Sequence, residues 1–241
     1  MWQDFCKSLK ASVDLFLPPA CLLCGQRLQD PPGGPGFCCE CMAGVTPLGP
    51  AHCCLCAQPF PDATSSHLCG ACLRHPPNFT GVHAAGRYQG SLKDAVHRLK
   101  YRNQFLLAEP LGSILGETVT HSSLEPSLDC IIPVPLHPQR LRSRGYNQAL
   151  EIARPLARQL GLPIQTRLLQ RCRNTPPQQG LSADQRSRNL RKAFVLARQV
   201  RGVRALLVDD IMTTGETVRE CCRTLLRGGA KEIQVAVVGR A

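Results

Sequence analysis

The chain has 241 residues, 43% hydrophobic and 19% charged, which suits one medium domain with a smaller attachment, or two modest domains. Its formal net charge of +12 favours anionic partners, namely nucleic acid, phosphorylated metabolites or anionic lipid, and cannot choose among them. No run of roughly 18 uncharged apolar residues occurs, which argues against a transmembrane helix.

Trp2, Phe5, Cys6, Leu9, Val13, Phe16 and Leu17 recur at three- and four-residue steps, predicting an amphipathic helix over 1–20 that Pro18 and Pro19 stop. Asp4, Lys7, Lys10 and Asp14 break the apolar core that a signal peptide needs. The polar face is not strongly basic, so the helix is expected to pack against protein rather than membrane. A cytoplasmic location follows as an expectation, and with it a reducing environment.

Eleven of the 15 cysteines lie in the first 72 residues. They form four CxxC knuckles: Cys21 and Cys24, Cys38 and Cys41, Cys53 and Cys56, Cys69 and Cys72. Each knuckle offers two thiolates from one tight turn, and two knuckles close a tetrahedron, so eight thiolates predict two structural Zn2+ sites. Joining the first two knuckles and then the last two is the simplest pairing; an interleaved one uses the same residues. Cys39 and Cys54 adjoin ligand candidates, but only Cys38 and Cys53 give the two-residue spacer. His52, His67 and His75 are read as caps or solvent-facing groups. The module, 21–77, is too irregular to build a core of its own and relies on metal.

From 78 to 241 strands alternate with helices. Strands are expected at 79–88, 128–136, 205–210 and 232–241, and helices at 91–101, 105–119, 147–161 and 215–229. This predicts an α/β fold with a largely parallel sheet flanked by helices. After the strand at 128–136, Pro133 and Pro135 stiffen a loop, and Arg140, Arg142 and Arg144 gather positive charge suited to a pyrophosphate or to solvent. Between Arg140 and Arg204 fifteen Arg or Lys face two acids, Glu151 and Asp184. Within that stretch 174–194 reads as a Pro-rich loop and a basic helix capped at Ser182, either a nucleic-acid contact or a solvated face. Its aromatics, Tyr146 and Phe194, are too sparse for base stacking.

"LLVDDIMTTGETV" (206–218) carries the sharpest signal. Three aliphatics bury a strand, so Asp209 and Asp210 emerge at its carboxyl end, where α/β proteins bind ligands. Thr213, Thr214, Gly215, Glu216 and Thr217 then run into a helix N-terminus, whose free N–H groups, hydroxyls and dipole suit a phosphate. Carboxylates are poor phosphate ligands and good acceptors for vicinal hydroxyls, and a ribose 5-phosphate satisfies both. A response-regulator receiver also places two acids after a strand, but it needs a later phospho-acceptor aspartate, and the 31 residues after Asp210 contain none.

The 206–218 stretch resembles the signature for 5-phosphoribosyl 1-pyrophosphate (PRPP) in type I phosphoribosyltransferases. That resemblance implies that Asp209 and Asp210 hold the ribose hydroxyls and Thr213–Thr217 the 5′-phosphate, with Mg2+ accompanying the pyrophosphate. "PVPLHPQRLRSRGYNQA" (133–149), "LKY" (99–101), the CxxC knuckles and the terminal "GR" strand resemble the ComF family, with Tyr146 where that family usually has phenylalanine. The implied architecture is a double zinc ribbon plus a type I phosphoribosyltransferase-like domain. Pro135 and Leu136 would face pyrophosphate, Arg140 to Arg144 would form a mobile flap, and Lys100 would join the substrate site. Single-stranded DNA and competence or recombination proteins are the other expected partners, and a non-catalytic nucleic-acid accessory is the alternative role.

Overall fold

A computed structural model describes residues 18–28, 36–61, 64–122, 128–174, 190 and 192–241. Of the helix expected over 1–20, residues 1–17 lie outside these residues, as do 175–189 and 191 of the loop and helix expected over 174–194. Two short helices, α1 (Cys39–Ala43) and α2 (Gly70–Arg74), precede the α/β part. There follow β1 (Gly81–Arg87), α3 (Gly90–Tyr101), a 3-10 turn (Phe105–Leu107), α4 (Ala108–Thr120) and β2 (Cys130–Pro133). Next come α5 (Pro138–Arg144), α6 (Gln148–Leu160), β3 (Leu169–Arg171) and β4 (Phe194–Leu196). The described chain closes with β5 (Arg204–Met212), α7 (Glu216–Arg227) and β6 (Glu232–Arg240).

Four strands make one sheet in the order β1-β6-β5-β2, every neighbouring pair parallel. Parallel strands need helical crossovers that cover both faces, so their sequences read as continuous apolar runs. On β5, Leu206 and Val208 enter one core while Ala205 and Leu207 enter the other. The first core is closed by Leu92 and Leu99 of α3, Leu111 and Leu115 of α4, and Ile152 and Leu156 of α6. The second is closed by Val218, Cys222 and Leu225 of α7.

Three features differ from the sequence expectation. The acids do not end their strand: β5 continues to Met212, and Asp209 stays in register with Val237 of β6. The stretch carrying Arg140, Arg142 and Arg144, where no helix is expected, forms α5, because Pro138 starts it and Gly145, at φ 84°, ends it. A two-stranded antiparallel sheet, β3 with β4, is the third; three-residue strands are too short to show alternation.

The cysteine segment repeats one unit. Ala20 bridges Arg27 around the first knuckle as His52 bridges Pro59 around the third. Cys38 and Cys69 cap α1 and α2 alike, each sulfur accepting the N–H three residues on. The units sit on opposite faces of the sheet. Cys21, Leu23, Phe37 and Cys38 join the α3–α4–α6 core, and Cys53, Cys56, Ala57 and Cys72 join the α7 core. Gly86 of β1 permits one of these contacts, since a Cβ there would lie 2.5 Å from the Thr46 carbonyl oxygen. Among the described residues no helix is long and apolar enough to cross a membrane.

Candidate functional site

The carboxyl edge of the sheet gathers the chemistry. β5 delivers Asp209 and Asp210, the turn after Met212 holds Thr213 and Thr214, and α7 begins at Glu216. Gly215 precedes that helix at φ 79°, a left-handed conformation that a side chain would strain. Asp209 and residues 211–218 line one small cavity, so two acids, Asp209 and Glu216, three threonines and a helix N-terminus converge there. The dipole and free N–H groups of such a terminus favour a dianion.

Both acids are buried, Asp209 at 9% and Asp210 at 3% exposure. Because consecutive strand residues face opposite ways, they meet different surroundings. Asp210 takes an ion pair from Lys100 Nζ of α3 at 2.5 Å. Asp209 feels the positive charges of Lys100 and of Arg171 on β3. Its Oδ1 accepts the Asp210 N–H at 2.9 Å, and Asp210 Oδ1 accepts the Ile211 N–H at 3.0 Å. Burial pushes the Asp209 carboxyl up to about 6, with Lys100 and Arg171 pulling the other way. Burial also brings Lys100 down to about 8, opposed by Asp209 and reinforced by Arg144. The site is a set of partly desolvated charges whose balance a charged ligand would reset.

Beside it, Pro135 and Leu136 line a cleft of about 510 Å³ with Tyr146, Asn147, Leu169 and Arg171. Asn147 fixes this wall: its Nδ2 donates to the Val134 carbonyl and its Oδ1 caps α6. Arg144 donates to Gln148 Oε1 at 2.6 Å and lies over the Tyr101 ring. The positive charge of Arg140 reaches both Arg144 and Arg171. The structure therefore brings together, around one edge, the residues singled out for a phosphoribosyl ligand.

Sequence reasoning misses Arg171, which is buried, stacked over Phe194 and close enough to influence Asp209. It is lost among many arginines, and a three-residue strand gives no local pattern that singles it out. Arg240 enters the sequence reading only as part of the terminal "GR". Its guanidinium, 3% exposed, donates to the carbonyls of Met212 and Thr213 at the start of the turn before α7.

The eight predicted thiols form two sets, Cys21, Cys24, Cys38 and Cys41, and Cys53, Cys56, Cys69 and Cys72. Within each set the sulfurs lie within 4.8 Å of one another, which selects the sequential pairing over the interleaved one. Four sulfurs ~2.3 Å from a tetrahedral Zn2+ stand ~3.8 Å apart. Cys24 and Cys38 are 3.6 Å apart and Cys56 and Cys69 are 3.7 Å apart, so both sets fit the ion. At Cys21 burial opposes ionisation, yet the N–H groups of Cys24, Cys38 and Leu23 outweigh it and hold the thiol near about 6. Cys53 repeats that balance at about 6. Cys39 and Cys54 are exposed and lie outside both sets, and His52, His67 and His75 also lie outside them.

Comparison with known proteins agrees with this architecture. A double zinc ribbon domain model matches residues 12–73, and a phosphoribosyl transferase domain model matches 147–240. DNA utilization protein YhgH of Shigella flexneri is 37% identical over 225 residues, 92% of this chain and 96% of that protein. The protein of the same name from Escherichia coli K12 is 36% identical over the same shares. Competence protein F of Haemophilus influenzae is 38% identical over 181 residues, 72% of this chain and 78% of that one. The chain belongs to the ComF family, in which a double zinc ribbon is joined to a phosphoribosyltransferase-like parallel sheet.

Proposed function

We propose that the chain binds PRPP with Mg2+ at the edge formed by β5, the 213–217 turn and the 134–137 loop. The observation that carries this reading is one cavity shared by Asp209 and the Thr213–Thr217 turn, opening on a helix N-terminus behind a left-handed glycine. Asp209 and Asp210 would accept the 2′- and 3′-hydroxyls, and Thr213, Thr214 and Thr217 with their backbone N–H groups would hold the 5′-phosphate. Lys100, paired with Asp210, fixes that carboxylate in place. Pro135 and Leu136 would face the pyrophosphate, with Arg140, Arg144 and Arg171 supplying positive charge. Mg2+ would neutralise pyrophosphate charge, and the hard oxygens suited to it are those of Asp209 and Asp210. Transfer of the phosphoribosyl group to an acceptor, with the C1′–O bond broken and pyrophosphate released, follows as the reaction such a site supports.

Each hydrogen bond to a charged group contributes about 1.5–3 kcal/mol, so Asp209→Ala with Asp210→Ala is expected to weaken PRPP binding by ~100-fold or more. Equilibrium dialysis against labelled PRPP tests this, with zinc content confirming that the ribbons are intact. Unchanged affinity would remove the ribose assignment.

A second role in DNA handling, in keeping with relatives named for DNA utilization and competence, is favoured by a separate observation. Tyr101, Phe105 and Leu106 are 68%, 60% and 59% exposed, an aromatic and apolar strip beside Arg102. Tyr101 lies tilted against the His97 ring, with centroids 5.0 Å apart, and under Arg144. Exposed aromatics interleaved with cations suit single-stranded DNA. The aromatics come from 101–105, outside the basic stretch that the sequence marks for nucleic acid.

A further inference from the structure

The two four-cysteine sets share their local geometry, yet the second is wired to the phosphate turn. Arg240 of β6 is the wire. Its Nε donates to the Cys56 carbonyl at 2.8 Å, and its Nη2 reaches Cys56 Sγ at 3.9 Å and Gln58 Oε1 at 2.6 Å. On the opposite side, Nη1 donates to the Met212 carbonyl at 2.9 Å and the Thr213 carbonyl at 2.5 Å. A second guanidinium repeats the arrangement at the far end of the turn. Arg219, in the first turns of α7, donates to the His75 carbonyl at 3.0 Å and reaches Cys72 Sγ at 3.9 Å. Both the entry to the turn and the helix that follows it are thus pinned to the third and fourth knuckles.

At the first set, by contrast, no guanidinium reaches a sulfur among the described residues. Arg98 of α3 touches it only through the Leu23 carbonyl, at 2.6 Å. The chemistry explains what the two guanidinium groups contribute. Four thiolates around Zn2+ carry a net charge of −2, and N–H donors to sulfur stabilise that charge while fixing the ligands' positions. A planar fork can serve a sulfur, a side-chain amide and three carbonyls at once; an ammonium cannot.

We propose that Arg240 is a positioning residue that makes the second zinc-binding set a brace for the phosphate turn. Metal held by Cys53, Cys56, Cys69 and Cys72 sets the order of Met212–Thr217 and, through it, the affinity for a phosphoester; metal at the first set does not. The last step rests on the phosphoribosyl reading of the turn, whereas the brace itself does not.

The test compares the full-length zinc-loaded chain with Arg240→Lys, Cys69→Ser and Cys38→Ser. Hydrogen–deuterium exchange is read over 211–220, and zinc release to a chromophoric chelator is read in parallel. Arg240→Lys should release one of the two zincs ~10–100-fold more readily, the usual effect of losing such an outer partner. It should also speed exchange across 211–220. Cys69→Ser should speed exchange there as well, and Cys38→Ser should leave it unchanged. Equal exchange in all four proteins would overturn the brace, as would an equal effect from Cys38→Ser and Cys69→Ser. Should Arg240→Lys fail to fold, the Cys69 and Cys38 variants decide the question by themselves. PRPP binding separates the two claims: coupling without PRPP binding refutes only the phosphoribosyl reading, and PRPP binding without coupling refutes only the brace.

Discussion

The first zinc ribbon is held by main-chain contacts, Arg87 N–H to the Thr46 carbonyl and Ser91 N–H to the Gly44 carbonyl, and by guanidinium groups that reach only its carbonyls, whereas at the second two guanidinium groups also reach ligand sulfurs. The ligand spacing, the capping thiolates and the small bridges are nearly the same in both. What differs is the face of the sheet each one covers. The first supports α3, which carries Lys100 to Asp210, and the second supports the turn that follows Asp209 and Asp210. Metal chemistry alone therefore does not specify a ribbon's role; the residues that reach its edges do.

The comparison breaks most visibly if the ribbons depend on each other. A structural zinc site contributes on the order of 10 kcal/mol to the folding of its own module. Cys21→Ser and Cys53→Ser should each lose one zinc and keep the other, as counted by metal analysis; loss of both from either variant would show one cooperative unit instead.

A smaller effect separates the two acids' surroundings. A carboxyl whose folded pKa, about 6, lies above its ordinary 3.8 makes the folded state less stable as pH rises through that window. Asp209→Asn should therefore raise the melting temperature of the ligand-free chain above pH 6, and the gain should vanish below pH 4. Ligand binding should show the opposite sign: wild-type affinity for PRPP falls below pH 6 as Asp209 takes up a proton, more steeply than in Asp209→Asn. A stability gain that does not depend on pH would assign it to packing rather than to the buried charge.

Smaller still is the contribution of the exposed strip. Stacking on an aromatic is worth about 1–3 kcal/mol per base, so Tyr101→Ala should lower affinity for an oligothymidine by ~5–100-fold in a fluorescence titration. Binding of PRPP should hold, and unchanged DNA affinity would return the strip to an ordinary surface.

Much of this is legible in the chain. The CxxC spacing marks all eight thiols because a zinc knuckle is a local structure with a fixed spacer. Leu206–Val218 reveals a strand, an acid pair, a turn and a helix, but not that the strand runs past the acids to Met212. What stays hidden depends on contacts between distant segments. Arg240 lies 184 residues from Cys56, and Lys100 reaches Asp210 from another helix. No pattern in one window can show that Arg171 is buried beside Asp209, or that Tyr101 meets Arg144. The sheet order β1-β6-β5-β2 likewise follows from crossovers, not from any strand's own residues.

The central claim, that the edge around Asp209 and Thr213–Thr217 takes a phosphoribosyl pyrophosphate, is tested most directly by calorimetric titration of the zinc-loaded chain. PRPP would be titrated with and without Mg2+, and ribose 5-phosphate with Mg2+. Saturable one-to-one binding that needs both the pyrophosphate and Mg2+, with ribose 5-phosphate much weaker, is the predicted result. No heat from PRPP at millimolar concentration, or equal affinity for ribose 5-phosphate with no response to Mg2+, would contradict it.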